Sequence, residues 1–309
     1  MTRSRWIRAA LTATILTTAV TACADDEQEA GSAPTTAQAD PPTTTDGSTA
    51  SAEATDEEVR VAGMVQTFVE SIQARNAERV LELVTDRGLE GFDWGTRQQV
   101  AAGEGSFGQD DLRGVTIAET TVDGDTGDAV VDLVAGIQVV RLRLPVVRED
   151  GAWKVDGVEF LGAPPPAPGQ RVVEISAGEY AFTFDRTAAA TGDFAITFTN
   201  RGKEAHEMSM FRAPADVPLS EVAGALGDVD GAALDQVPPP FELVSHLAFA
   251  EPGQSVGFRF AEPLTPGRYV IVCYIPQGTT SEDQLQDPSV TGAIPHVKLG
   301  MIADFKVDA

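Results

Sequence analysis

The sequence is poor in the residue types that carry most chemistry. Its 309 residues include three histidines, two cysteines and three tryptophans. Two cysteines, Cys23 and Cys273, exclude a disulfide framework and allow at most one bridge. Basic residues are also few: Lys and Arg total 22 against 47 Asp and Glu, a formal charge of −25. Such a surface repels phosphate, which excludes nucleic acid as a partner. The apolar, Thr-rich run from Ala9 to Ala22 is too short for an ordinary membrane-spanning helix. No nucleophile elbow is present, since Glu174-Ile175-Ser176-Ala177-Gly178 lacks its first glycine. His206-Glu207 is half of a zincin pattern, but no histidine stands three residues after Glu207. These absences turn the reading away from an enzyme. What is there is an apolar fraction of 42%, enough for real cores, on a length that suits two domains.

The run Ala9–Ala22 follows Arg3, Arg5 and Arg8 and fits a signal-peptide core. It ends in Val20-Thr21-Ala22-Cys23, which resembles the bacterial lipobox: a branched apolar residue, two small ones, then cysteine. The resemblance implies that residues 1–22 are removed and that Cys23 is diacylated as the new N-terminus. The mature protein is then expected outside the cytoplasm, lipid-anchored to the cell membrane. Without the three leader arginines, 19 basic residues face 47 acidic ones, about −28. Residues 23–55 begin with Asp25, Asp26 and Glu27, are rich in Pro, Thr, Ser, Ala and Gly, and contain no basic residue. They read as a disordered acidic tether.

A folded domain is expected over residues 56–162. Met64, Val65, Phe68, Val69 and Ile72 recur at helical spacing, with Thr55 or Asp56 as the cap. A second short helix is predicted over Asn76–Val84. Strand-like runs follow at Val115–Val122, Asp128–Val134, Ile137–Val147 and Trp153–Phe160, with hairpin chemistry at Asp123-Gly124-Asp125 and Glu149-Asp150-Gly151. Helices first, then a meander closing on Gly151-Ala152-Trp153-Lys154-Val155, resembles the nuclear transport factor 2-like α+β cone. This segment has no histidine, so the resemblance implies a binding or scaffold role here. Gly103-Glu104-Gly105-Ser106-Phe107-Gly108 matches G-x-G-x-x-G, but no strand precedes it and Gln109-Asp110-Asp111 follows. It reads as a loop, not a dinucleotide site.

Residues 163–169, Ala-Pro-Pro-Pro-Ala-Pro-Gly, form a stiff linker. Beyond it, over 170–309, apolar residues alternate: Val173 and Ile175, then Tyr180, Phe182 and Phe184, then Phe194, Ile196 and Phe198, Val256, Phe258 and Phe260, then Tyr269, Ile271 and Cys273. The pattern predicts an all-β antiparallel sandwich. Leu219, Val222, Ala223, Leu226 and Leu234 suggest a helical insertion.

All three histidines lie in this half, with the second cysteine. Two segments stand out. One is Asn200-Arg201-Gly202-Lys203-Glu204-Ala205-His206. The other runs from Pro266-Gly267-Arg268-Tyr269 through Cys273 to His296-Val297-Lys298-Leu299-Gly300-Met301. An N-x-G…H at a strand end and a late P-G-x-Y-x-x-x-C followed by His and then Met resemble the cupredoxin family, a Greek-key sandwich. The resemblance implies copper as the cofactor, with His206, Cys273 and His296 as ligands and Met301 as a weak axial thioether. One thiolate and two imidazoles with a long axial sulfur accommodate both Cu(I) and Cu(II). Bonds of about 2.0–2.3 Å to one ion require the three donors to converge to within about 4 Å of one another. In the family the second histidine protrudes through an apolar patch, and Gly292, Ala293, Ile294, Pro295 and Val297 supply apolar surroundings.

The sequence departs from the family in two places. Twenty-two residues separate Cys273 from His296, where simple cupredoxins have a few, so Gln277–Val290 must loop out and return. Glu207 follows the first histidine where Asn is usual, which puts the usual hydrogen bond to the thiolate in question. His246 reads as a packed or surface histidine, and Met208 and Met210 as core. Three functions compete: a membrane-tethered electron carrier with a redox partner protein, a copper buffering or delivery lipoprotein, and a metal-free interaction lipoprotein. A monomer is expected in each.

Overall fold

A computed structural model describes residues 54–104, 107, 112–229, 237, 239–287, 290 and 292–309. The expected leader, Cys23 and nearly all of the tether lie outside the described residues, as do Leu234 and most of the G-x-G-x-x-G segment. Among the described residues the chain is mainly β, with thirteen strands and five α-helices, and none of the helices is long and apolar enough to cross a membrane.

Helix α1, Asp56–Gln73, starts where the sequence predicts. Thr55 and Glu58 form a capping box, and Asp56, Glu57 and Glu58 place negative charge at the positive end of the helix dipole. Its apolar stripe buries Val61, Val65, Phe68, Val69 and Ile72. Helix α2, Ala77–Leu83, is capped by Asn76. Two further helices, α3 (Asp86–Gly91) and α4 (Arg97–Ala101), are capped by Thr85 and Thr96.

These helices cover a five-stranded antiparallel sheet of β1 (Leu112–Asp123), β2 (Thr126–Ala135), β3 (Gln138–Glu149), β4 (Ala152–Val155) and β5 (Glu159–Gly162), in the order β1-β2-β3-β4 with β5 also on β3. The run expected as one strand, Trp153–Phe160, is two: both halves pair with β3, and the intervening Asp156-Gly157-Val158 steps from one register to the other. Phe68, Phe92, Trp94, Leu144 and Trp153 share one apolar cluster between helices and sheet.

The remaining strands make two four-stranded sheets. One has the order β11 (Ser255–Arg259), β8 (Phe194–Asn200), β6 (Arg171–Gly178), β7 (Ala181–Thr183). The other has β10 (Glu242–Ala250), β9 (His206–Ala213), β12 (Gly267–Val272), β13 (Ile302–Val307). The sandwich is not wholly antiparallel. β6 and β8 pair in parallel, because the short β7 hairpin and the 3-10 turn at Arg186–Ala189 carry the chain across before β8 begins. Inward residues of both sheets, among them Ile175, Phe198, Met208, Met210, Phe258, Ile271 and Cys273, form one cluster. The inserted helix α5, Leu219–Gly227, lies outside: Val222 and Leu226 bury the outer face of β9 and β12 through Phe211, Val270 and Val272.

The β2–β3 turn joins the two halves. Ile137 packs against the sandwich cluster and its carbonyl accepts from Ala261 N–H at 2.9 Å. Gln138 Nε2 donates to Ser245 Oγ and to the His246 carbonyl at 2.9 and 2.6 Å. β11 pairs Ser255 with Thr199 at one end and Arg259 with Ala195 at the other, so this contact sits at the end of the sandwich remote from Asn200 and His206.

Candidate metal centre

His206 opens β9, and Cys273 directly follows β12 on its inward face. His296 and Met301 come from the segment that leads into β13, through a 3-10 turn at His296–Leu299. Gly300 ends that turn at φ +103, a conformation that glycine adopts without cost. Backbone bonds lock the segment to the cysteine. Cys273 N–H donates to the Met301 carbonyl at 3.3 Å, Val297 N–H to the Cys273 carbonyl at 2.8 Å, and Met301 N–H to the His296 carbonyl at 3.0 Å.

This ladder brings three donors together. His206 Nδ1 lies 3.2 Å from His296 Nδ1, and Cys273 Sγ lies 3.4 Å from that same nitrogen. All three donor atoms fall within 4.8 Å of one another. Two pairs therefore meet the expected 4 Å, while the set as a whole is bounded only by the longer distance. All three side chains are 0% exposed. Met301 is buried in the same cluster as Cys273, and its backbone is bonded to both Cys273 and His296. His246 stands apart: it is half-buried on β10, with Nδ1 2.8 Å from Ser209 Oγ. Met208 and Met210 are core residues.

The donor set fits a soft or borderline cation. His296 Nε2 faces a carboxylate oxygen of Glu204 at 2.8 Å. A carboxylate only accepts, so Nε2 carries the proton and the Nδ1 lone pair points inward. His206 Nδ1 and the cysteine sulfur face the same point. A single proton can bridge one such pair, whereas one cation satisfies all three. His206 Nε2 is buried without a partner, so nothing on its outer side competes for the ring. Gly202 is the reason the ring fits: a Cβ there would stand 2.7 Å from His206 Nε2.

The electrostatics show how unsuited this pocket is to bare charge. Burial, then the neighbouring His296, pushes His206 down to about 4. Burial lowers His296 as well, opposed by Glu204. Burial and the Glu207 carboxylate push the Cys273 thiol well up, opposed by the backbone N–H groups of Glu207 and Ile275. A bound metal reverses that preference, because it stabilises the thiolate directly.

Two expectations change. His296 does not protrude: Glu204 covers its outer nitrogen, and the ring of Tyr180 meets it edge-on at 5.1 Å. The inserted loop holds this cover in place through Gly278 N–H to Glu204 and Gln277 Nε2 to the Tyr180 hydroxyl. It leaves the site at Pro276, returns at Pro295, which bridges Pro276, and is tied back through Ala205 N–H to the Thr279 carbonyl at 2.7 Å. With Glu207 in place of Asn, moreover, a hydrogen bond to the cysteine sulfur is still made. The Glu207 backbone N–H donates to Cys273 Sγ at 3.3 Å and its carboxylate accepts Tyr274 N–H at 3.0 Å. Sequence reading gave Glu204 no role and put Tyr180 in a strand with Phe182 and Phe184. Tyr180 stands instead in the turn before β7, at φ +62, which aims it at the site.

No family model and no curated protein matches the chain. Solved structures do resemble parts of it. An NTF2-like protein from Cytophaga hutchinsonii is 19% identical, with 35% of this chain and 98% of that one covered, at a TM-score of 0.27. A dithionite-reduced auracyanin from the photosynthetic bacterium Roseiflexus castenholzii is 21% identical over 45% and 98%, at 0.27. Auracyanin B is 21% identical over 47% and 92%, at 0.28. The site stands on its own geometry and not on these likenesses.

Proposed function

We propose that the C-terminal half is a cupredoxin-like Greek-key domain that would hold one copper ion through His206 Nδ1, Cys273 Sγ and His296 Nδ1, with the Met301 sulfur as a further, weak donor. The whole is read as an extracytoplasmic lipoprotein, anchored through Cys23, that carries electrons to or from a partner protein and is not an enzyme. The nuclear transport factor 2-like half serves as its scaffold. The observation that carries the reading is the meeting of two imidazoles and one thiol in a fully buried pocket.

When bound, copper supplies a one-electron couple that a thiolate and two imidazoles accommodate in both oxidation states. The chain's own contribution is rigidity and dryness. The Cys273 backbone is held between Met301 and Val297, and the His206 ring is fixed against Gly202. Two backbone N–H groups stabilise negative charge on the sulfur. The buried surroundings keep water off the donors.

A second reading, copper buffering or delivery, draws support from the cover over His296, which removes the exposed imidazole edge through which a redox partner would couple. Titrating the full-length protein with Cu(II), and separately with Cu(I) under reducing conditions, distinguishes the two. An intense thiolate-to-copper charge-transfer band, lost in Cys273→Ser, supports the carrier. Tight Cu(I) binding without that band supports buffering, and no binding of either ion overturns both.

A further inference from the structure

Glu204 reaches His296 from the side away from the other donors. Its Oε2 accepts from His296 Nε2 at 2.8 Å and from Gly278 N–H at 2.9 Å, and its Oε1 accepts from the Tyr180 hydroxyl at 3.3 Å. That hydroxyl in turn accepts from Gln277 Nε2 at 2.9 Å. The backbone is fixed too: Asn200, fully buried, donates from Nδ2 to the Glu204 carbonyl at 2.7 Å and accepts Gly202 N–H on Oδ1 at 2.8 Å. The carboxylate is therefore oriented from three directions and has little freedom to leave His296. Each of these side-chain contacts is a donor facing a carboxylate oxygen, the arrangement that an ionised carboxylate takes.

We infer that Glu204 is a positioning residue for the copper site: it fixes His296 as the Nε2–H tautomer and sets a permanent negative charge behind the imidazole, biasing the site toward Cu(II) over Cu(I). This rests on the copper reading above. A hydrogen bond from a ligating imidazole to a carboxylate orients the ring and raises its donor strength. Glu204 is only partly exposed and the imidazole between it and the donors is fully buried, so its charge is screened less than a surface charge and favours the ion of higher charge. The inserted loop acquires a purpose on this view. Gly278 and Gln277, both within it, hold the carboxylate and its tyrosine partner in place.

The test uses the full-length protein with Glu204→Gln and Glu204→Ala. Nitrogen-15 spectra of the metal-free proteins read the His296 tautomer. Chelator competition reads Cu(II) and Cu(I) affinity separately. Glutamine keeps an acceptor oxygen but not the charge, so Glu204→Gln is expected to retain the Nε2–H tautomer. It should weaken Cu(II) relative to Cu(I) about tenfold, equivalent to about 59 mV in a one-electron potential. Glu204→Ala is expected to lose the tautomer preference as well. An unchanged tautomer in Glu204→Ala would overturn the positioning role whether or not metal binds. Equal weakening of both ions in Glu204→Gln, or none, would overturn the charge role while leaving the copper reading intact. Failure of the wild-type protein to bind either ion overturns the copper reading itself, and the charge role with it.

Discussion

His206, His296 and Cys273 are each neutral in the metal-free pocket, and each resists ionisation there for the same reason, loss of water. The pH consequences run in opposite directions. The unfolded chain protonates its histidines near the ordinary 6.5, whereas His206 in the fold does so at about 4 and His296 also below its ordinary value. Between those limits the unfolded state binds more protons. Stability present above about pH 6.5 is therefore lost as the pH falls toward 4. At the alkaline side the sign reverses, because the unfolded cysteine ionises near its ordinary value while buried Cys273 does not. Stability then falls as the pH rises past about 9. Thermal melts of the metal-free protein across pH should trace a dome, and bound copper should steepen its acid limb, because the metal-bound fold keeps the thiol and both imidazoles free of protons while the unfolded chain takes them up. A flat profile in the metal-free protein would contradict the buried, neutral pair. At this scale the donors were legible in the sequence because they are rare: three histidines and two cysteines leave few alternatives. Glu204 was not. It is one of 47 acidic residues, and its partner His296 lies 92 positions away, so only the fold singles it out.

The connection from β8 to β9 shows how an element's end can be specified by one side chain. Asn200 donates to the carbonyls of Glu204 and Ala250 and accepts from Gly202, so it ties its own loop to β10 while presenting His206. Asn200→Ala removes all three bonds and leaves buried polar groups unpaired, at a cost of about 3 kcal/mol. Chemical denaturation should show that loss, and copper affinity should fall with it. A variant as stable as the wild type would mean that water replaces the amide. Among the elements, those with a long apolar period were legible and the rest were not. Helix α1 declares itself through its capping box and five buried apolar positions. Helices α3 and α4 have six and five residues, too few for a period to emerge. The parallel pairing of β6 with β8 was invisible in principle, since alternation along a strand is the same whichever way its neighbour runs.

At the scale of the whole molecule, the β2–β3 turn makes the two halves one mechanical object. Gln138→Ala removes the side-chain bonds to Ser245 and His246 and is expected to cost about 1–2 kcal/mol. The two halves of the wild type are expected to unfold in one transition, and the variant should separate it into two. Trp94 and Trp153 are both in the first apolar cluster, so their fluorescence reports that half, and the copper absorption band reports the other. Coincident transitions in the variant would show that the apolar contact of Ile137 suffices alone. The complete burial of Cys273 has a further use. In the metal-free protein its sulfur lies between both sheets with 0% exposure, so an alkylating reagent can reach it only after the sandwich parts. Site-resolved mass spectrometry of alkylation at Cys273 should run slower than in denaturant by about a thousandfold or more. The thiol that would bind metal is thus also a built-in label, whose rate of capture measures how often the unoccupied sandwich opens.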